Sequence, residues 1–537
     1  MGSWGDIPLR CRWLAILVWL LPAALAGCAS APRGFTPHEI PRTAPQAVAK
    51  PVSYQSEVAS PREKLVPPPV STDETAKAPS EEEPALLPSP AARKADGAIP
   101  IDLASALAMT DGQNPQVAFA RERIAEAEAQ LSRARAMWLP SIRGGVNYNK
   151  HEGQIQDVAG RIINTSRNSL YSGLGANAVG AGSPAVPGLL AQFHLTDAIH
   201  QPRIAASEVA ARTFAAQAQA NDSTLQTALA YLDLLHAEQD VAIAREAQEN
   251  TLKLQKLTAA YAKSGQGQQA DDDRALAELA LRENDLERAS EGVQVASARL
   301  AQLVQLDPTQ PLSPQETAVA PLNLVPEGML AQDLVAQGLS TRPEIAESRF
   351  LIDEAVHRLR REQCAPLVPS VLLAASYGGL GGGLGGRFRD YGDRFDADAV
   401  AFWELRNFGY GDAAARREAD SRVTQARFKE LAALDRVARE IVEAHAQVQA
   451  RRRQIATAQR GIEAAQTSYE RNLARIENTQ GLPLEALQSI QALSQARRDY
   501  LRAVSDFNAA QFQLLHHIGG DGSLFMAEQD GTPPQAE

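Results

Sequence analysis

Apolar residues recur every seventh position over two very long stretches of this chain. Between Ala413 and Ile518, the first such series is Ile441, Val448, Ile455, Ile462 and Tyr469, with Ala444, Ala458 and Ala465 three positions after the first, third and fourth. This is a coiled-coil seam, and it predicts a long outbound helix. Leu493, Tyr500, Phe507 and Leu514, with Ala496, Ala503 and Ala510 at the second seam position, predict a returning helix. Asn478-Thr479-Gln480-Gly481-Leu482-Pro483 separates the two, a turn that no helix crosses unbroken. At about 1.5 Å per residue, each arm spans on the order of 50 to 100 Å. Ala along the seam lets neighbouring helices approach closely, as a wall of helices requires.

The same layout occurs earlier. Leu279, Leu286, Val293 and Leu300 stand 214 residues before Leu493, Tyr500, Phe507 and Leu514, and Ala289 and Ala296 precede Ala503 and Ala510 by the same offset. The outbound arm of this first copy, roughly 202–263, carries Leu225, Ala228, Leu232 and Leu235 and turns at Ser264-Gly265-Gln266-Gly267. Upstream, Asn114-Pro115 opens a helix that runs to Leu139-Pro140-Ser141, and Arg342-Pro343 opens one that runs to Val368-Pro369-Ser370. The two opening prolines lie 228 residues apart, while Tyr148 and Tyr377, each eight residues after the closing proline, lie 229 apart. The body therefore reads as an internal duplication, with a first repeat over 100–320 and a second over 321–520.

After each Pro-Ser the apolar period changes to two. Ile142, Gly144, Val146 and Tyr148 alternate with Arg143, Gly145, Asn147 and Asn149, which predicts a strand with one apolar face. A returning strand is expected over Leu189 to Leu195, and the second copy repeats the pattern over Val371 to Tyr377 and Val400 to Leu405. Four strands per chain result. A closed membrane barrel needs about eight or more, so several chains must combine to close one.

The ends of the chain differ in kind. Arg10 and Arg12 precede an apolar run from Trp13 to Leu25, which predicts a signal peptide over 1–27. Leu25-Ala26-Gly27-Cys28 reads as a lipobox, with Cys28 the lipidation site, and Ala29 after it resembles lipoproteins sent to the outer membrane. Residues 28–99 are rich in Pro, Ser, Glu, Lys and Ala and predict an acylated, disordered tether; 521–537 predict a disordered tail. The formal charge of −11 becomes −12 without the signal segment, where 51 basic side chains face 63 acidic ones. An acidic chain without a basic cluster argues against nucleic-acid binding. With Cys28 acylated, Cys364 is expected to have no intrachain disulfide partner. Beyond the signal peptide no segment is apolar enough for a transmembrane helix, so any crossing must be made by strands.

Asn114-Pro115 with Leu139-Pro140-Ser141, Arg342-Pro343 with Val368-Pro369-Ser370, Asn407-Phe408-Gly409 before the second outbound arm, and the glycine-containing hairpin tips resemble the TolC family of outer-membrane efflux ducts. The lipobox makes the chain similar to the lipoprotein branch of that family. The resemblance covers about residues 100–520; the ending His516-His517-Ile518-Gly519-Gly520 departs from the branch's Ala-Leu-Gly-Gly. It implies a mainly α fold with a small β part, long helical hairpins forming an α-barrel, and a homotrimer whose strands make a 12-stranded β-barrel in outer-membrane lipid. It further implies a periplasmic adaptor protein and an inner-membrane pump as partners.

On this reading the hairpin tips are the moving parts. Asp271, Asp272 and Asp273 follow the first turn, and Glu485 is the equivalent of Asp271 in the second copy. In a trimer they would ring a periplasmic entrance and favour cations; alternatively, acids in a first helical turn complement the macrodipole. Arg274 and Arg475 are candidate tethers between protomers, like the ion pairs that hold this family's entrance shut, or solvated helix-face charges. Gly265, Gly267, Gly481 and Pro483 shape the tips that would meet the adaptor.

Other motifs carry less. The run Gly378 to Gly386 is followed by no Gly-Lys-Ser/Thr and reads as a flexible extracellular loop rather than a phosphate loop. His516 and His517 are adjacent, so a helix splays them apart and metal binding is not expected. No stretch resembles a nucleophile elbow, and the chain is expected to have no catalytic, cofactor or metal site. The rival is a structural or adaptor lipoprotein whose hairpins bridge partners without a pore. It leaves the four amphipathic strands unexplained, and the small lipoyl-like β-domain of an adaptor has no counterpart in the sequence.

Overall fold

The computed structural model describes residues 86–88, 98–176, 186–187, 189–316, 318–478 and 481–520. The expected signal peptide, Cys28, nearly all of the tether and the 521–537 tail lie outside the described residues. Strand β1 (Ile99–Ile101) precedes α1 (Leu103–Gln113) and α2 (Pro115–Arg135). Then come β2 (Ser141–Ile142), β3 (Gly144–Gln156), β4 (Ile162–Ala176), β5 (Val186–Pro187) and β6 (Leu189–His194). The 69-residue α3 (Leu195–Lys263) follows, and the chain returns as the 35-residue α4 (Gln269–Leu303). After β7 (Leu312–Pro314), α5 (Ala331–Thr341) and α6 (Pro343–Cys364) lead to β8 (Ser370–Leu384) and β9 (Asp390–Phe402). The 68-residue α7 (Tyr410–Glu477) and 35-residue α8 (Pro483–His517) form the second hairpin.

Local chemistry sets these starts. Asn114 takes extended backbone and its side chain accepts from Gln116 N at 2.8 Å, while Pro115 fills the first helical position, where no N–H is needed. Arg342 and Pro343 open α6 in the same way, without a side-chain cap.

The four long helices lie side by side in the order α4, α3, α8, α7. Heptad positions fill the seams: Leu300, Leu493, Phe507, Leu514 and Ile441 are each at most 3% exposed. The two inner helices bury far more than the outer pair. Helix α3 buries twenty-six residues and α8 eighteen, against nine for α7 and seven for α4. The outer helices thus present long, unpacked faces at both edges of the wall.

At mid-height, Leu87 is buried among Leu235, Ile243, Ile462, Tyr500 and Val504, and Gln239 Nε2 donates to Pro88 O at 2.6 Å. The end of the segment expected to be disordered is therefore docked on the wall.

Strands β1 and β7 pair parallel in a small sheet of their own, and the remaining strands form one antiparallel sheet. Residues 174 down to 167 of β4 pair with 377 up to 384 of β8, and β6 continues the same ladder, Leu189 opposite Ala375 and His194 opposite Ser370. Strands β4 and β6 thus run as one composite strand along β8, and β5 pairs with the end of β4, Gly175 opposite Pro187 and Ala176 opposite Val186. Strands β2 and β3 line its other side, and β9 lines the far side of β8. Four strand tracks result, with β3 and β9 at open edges.

The structure corrects several expectations. The long strand β4 occupies what the sequence suggested was loop, because its apolar residues are interspersed with Asn164, Thr165, Ser166, Arg167 and Asn168. Leu195 begins a helix rather than ending a strand, so α3 starts before the expected 202 and contains Pro202. In the second copy the returning strand is 390–402, not 400–405. Gly378 to Leu384 belong to β8, with the turn confined to 385–389. Their glycines are close-approach positions: a Cβ on Gly378 would lie 2.8 Å from the Tyr171 ring, and one on Gly173, at φ +154°, would lie 2.6 Å from Gly378 Cα. Cys364 is disulfide-bonded, against expectation, and its partner lies outside the described residues.

Candidate functional site

The register sorts the sheet into two unlike faces. One carries Ile142, Val146 and Tyr148 of β2 and β3, Leu174 and Leu189 of the composite strand, Tyr377 of β8, and Phe395 and Tyr391 of β9. These large apolar groups are all exposed, Ile142 at 73% and Tyr391 at 71%. The other face carries Asn147, Asn149, Arg167, Gln192, Arg394, Asp396 and Asp398, with Arg394 paired to Asp396 at 2.6 Å. An apolar face left uncovered on this scale requires an apolar surrounding.

Aromatic rings bound that face at both ends. Near the helices, Trp138 and Phe193 lie 5.9 Å apart, with Trp403 and Tyr410 exposed nearby in the chain. At the far end Tyr148, Phe388 and Tyr391 form a chain with centroids 6.1 and 6.3 Å apart. Phe193 pairs with Val371 and Tyr391 with Gly381, so ten residues of β8 separate the two groups. That is about 33 Å along a strand, or about 25 Å of height for strands tilted by 35–45°, as in barrels that cross an outer membrane.

Strand passes to helix with little slack. His194 ends β6 and Leu195 begins α3. At the second junction Asn407, Phe408 and Gly409 take left-handed backbone, with φ of 52°, 54° and 85°. Asp412 holds them. Its carboxylate, 1% exposed, accepts from Arg406 N at 3.0 Å and Arg406 Nε at 2.7 Å. Arg406 also reaches Glu362 of α6 at 2.7 Å. Burial works against the Glu362 carboxylate, but Arg406 and Arg361 hold it below the usual range.

A second ionic cluster lies where α5, α6, α7 and α8 meet. Arg342, 8% exposed, bridges Glu344 at 2.5 Å and Glu440 at 2.6 Å. His517 sits 3.7 Å from Glu440; burial, with His516 and Arg342 nearby, pushes its pKa down to about 4.

At the opposite end the two hairpin tips meet. Gly265 has φ +76°, and Gln266 N and Gly267 N both donate to Tyr261 O at 3.0 Å. A side chain at Gly267 would press on Tyr261 Cβ at 3.0 Å. Tyr261 Oη then donates to Ile476 O of the second tip at 3.3 Å. A cleft of about 480 Å³ lies between the tips, lined by Tyr261, Gly267, Asp271, Ile476, Gly481 and Pro483.

The structure brings most predicted tip residues together. Asp271 and Glu485 both stand in the first turn of their helices. Gln255 donates to Asp272 at 3.1 Å and Gln269 to Asp273 at 3.4 Å. Arg274 pairs with Asp271 at 3.5 Å and Arg475 with Glu485 at 2.9 Å, both within the chain and both about half exposed. Such exposed pairs contribute about 0–1 kcal/mol. Sequence reasoning missed Tyr261, Arg406 and Asp412; an acid just inside a helix that follows Asn-Phe-Gly was the signal for Asp412.

No family model and no curated relative matches the sequence. Solved structures do match in fold. The outer-membrane channel OprN aligns with a TM-score of 0.65 at 18% identity, over 83% of this chain and 99% of that one. The outer membrane protein VceC of Vibrio cholerae aligns at 0.64 and 17%, over 78% and 96%. The CmeC outer membrane channel of Campylobacter jejuni aligns at 0.64 and 16%, over 87% and 98%.

Proposed function

We propose that this chain, whose fold is that of the TolC-like outer-membrane channels, is the exit duct of a tripartite efflux or secretion system. Three copies close the barrel, four strand tracks from each giving twelve, and the helical walls join into a tunnel through the periplasm. Substrates pass passively; an inner-membrane pump supplies the energy through a periplasmic adaptor that meets the Gly265, Gly267, Gly481 and Pro483 tips. The chain makes or breaks no bond in this role.

The observation that carries this reading is the sheet with one exposed, aromatic-bounded apolar face, one polar face and two open edges. Open edges expose unpaired backbone groups, which lipid cannot satisfy, so the sheet is stable in a bilayer only when closed. The unpacked faces of α4 and α7 call for neighbours in the same way. The repeated lengths of the two hairpins support the internal duplication.

The test is planar-bilayer conductance of the purified protein with its oligomeric mass measured in the same detergent. Trimeric mass with discrete conductance steps is expected; a monomer that does not conduct would overturn the duct and favour a structural lipoprotein. Intact mass of the mature chain tests the anchor: the added mass of a diacylglyceryl thioether on Cys28 is expected, with Cys364 then a thiol once the signal peptide is removed, and a mass two hydrogens below the unacylated chain would mean that Cys28 is oxidised to Cys364 instead and carries no lipid.

The tip acids make the entrance cation-selective. Three chains bring nine carboxylates from 271–273 around one mouth, and like charges there raise the local cation concentration. Replacing Asp271, Asp272 and Asp273 by Ala is expected to lower the cation-to-anion permeability ratio severalfold in single-channel recordings. Unchanged selectivity would leave these acids as helix-start charges only.

A further inference from the structure

We propose that Arg387, Arg389 and Lys150 hold the phosphate of an anionic lipid headgroup against the outer rim of the barrel. The inference rests on the duct reading, because it places this rim in the outer leaflet.

The turn after β8 folds back over the apolar face rather than over the polar one. A Cβ on Gly383 would strike the Arg387 carbonyl, and one on Gly381 would lie 2.7 Å from the Tyr391 ring and 3.7 Å from Phe388. Both glycines belong to the face that carries Tyr148 and Tyr377. Arg389 N donates to Gly382 O at 3.0 Å, and Gly385 N to Ser166 O at 3.1 Å, which fixes the turn on the strands. Phe388 is thereby laid between Tyr148 and Tyr391, at the top of the apolar band.

Arg387 and Arg389 flank Phe388, are exposed, and make no ion pair among the described residues. Lys150 stands two positions beyond Tyr148 on the same face, about 7 Å higher along the strand, and pairs with Glu152 at 2.5 Å. Glu152 thus offsets Lys150, and the two arginines carry the excess positive charge. Asn168 is the register partner of both Lys150 and Gly383. It is 5% exposed, and neither its Oδ1 nor its Nδ2 has a hydrogen-bond partner. Aromatic rings at the interface with guanidinium groups just outside them suit one ligand chemistry: acyl chains below and a phosphate above.

The test uses the purified full-length chain in detergent with three probes: diphosphorylated hexa-acyl lipid A, the same lipid dephosphorylated, and inorganic phosphate. Bound lipid is counted by native mass spectrometry. Wild-type protein should retain the phosphorylated lipid, and the Arg387→Gln/Arg389→Gln double variant should retain about thirtyfold less, as expected for two cations near an anionic surface. The Arg387→Lys/Arg389→Lys double variant should recover most of the loss. Equal retention of the two lipids, or no effect of the Gln variant, would overturn the inference. Displacement of the lipid by inorganic phosphate at comparable concentration would also overturn it, since the site would then take a free ion. Conductance of the same preparation separates the two readings: a conducting trimer indifferent to lipid phosphate leaves the duct standing alone, and a non-conducting monomer removes both.

Discussion

Replacing Asp412 by Ala is expected to destabilise the folded chain by about 3 kcal/mol, at the lower end of the range for breaking a buried ion pair because Arg406 keeps some access to water. The carboxylate performs three tasks at once. It satisfies Arg406 N, neutralises Arg406, and fixes the chain just before three left-handed residues. Two of those, Asn407 and Phe408, are not glycine, and each costs on the order of 1–2 kcal/mol in that conformation. Without Asp412 the linker gains more by relaxing than by keeping that path. Thermal unfolding in detergent measures the effect. Asp412→Asn, which keeps the acceptor for Arg406 N but loses the charge, should fall between the variant and wild type. A loss below about 1 kcal/mol for the Ala variant would mean that packing alone holds the junction.

The second large effect is acid destabilisation through His517. Its folded pKa of about 4 lies below the ordinary value of 6.5, so the folded state resists its protonation. The stability this contributes is fully present above pH 6.5 and is lost as the pH falls towards 4. For one chain the loss is on the order of 2–3 kcal/mol, and in a trimer it would occur three times. Protonation would set a cation beside Arg342, with Glu440 the nearest compensating charge. His517→Gln removes the titration, and its melting temperature should change less between pH 7 and pH 4.5 than that of wild type. His200, His236 and His357 are also held low, first by burial, and keep a residual slope in the variant. Parallel profiles for variant and wild type would locate the acid sensitivity elsewhere.

The helical architecture was legible because its signal is long. Ile441, Val448, Leu493, Phe507 and Leu514 repeat over many turns, and only a packed seam explains such a run. The strands were legible only in part. Alternation marked Ile142 to Tyr148, but β4 alternates among small and polar residues, since Asn168, Ser169 and Ser172 lie among its apolar ones. The glycines of β8 read as loop because glycine weakens a strand in isolation; here they make room for Tyr171, Tyr391 and the 385–389 turn. At the tips, composition pointed to Gly265, Asp271 and Glu485. The link that joins the tips, Tyr261 to the Ile476 carbonyl, spans 215 residues of sequence and left no local pattern. The Arg406–Asp412–Glu362 junction depends likewise on a contact across 44 residues.

Pro202 lies two turns inside α3, where it lacks the N–H that would bond the Ala198 carbonyl. No described residue of α7 is a proline, so the two long helices differ in stiffness near the sheet. From Pro202 to Lys263 the helix runs about 90 Å, so a bend of about one degree at the proline moves the tip by about 1.6 Å. The first hairpin is therefore a lever with its fulcrum near the sheet, and small changes of angle there are read out as ångströms at the tips.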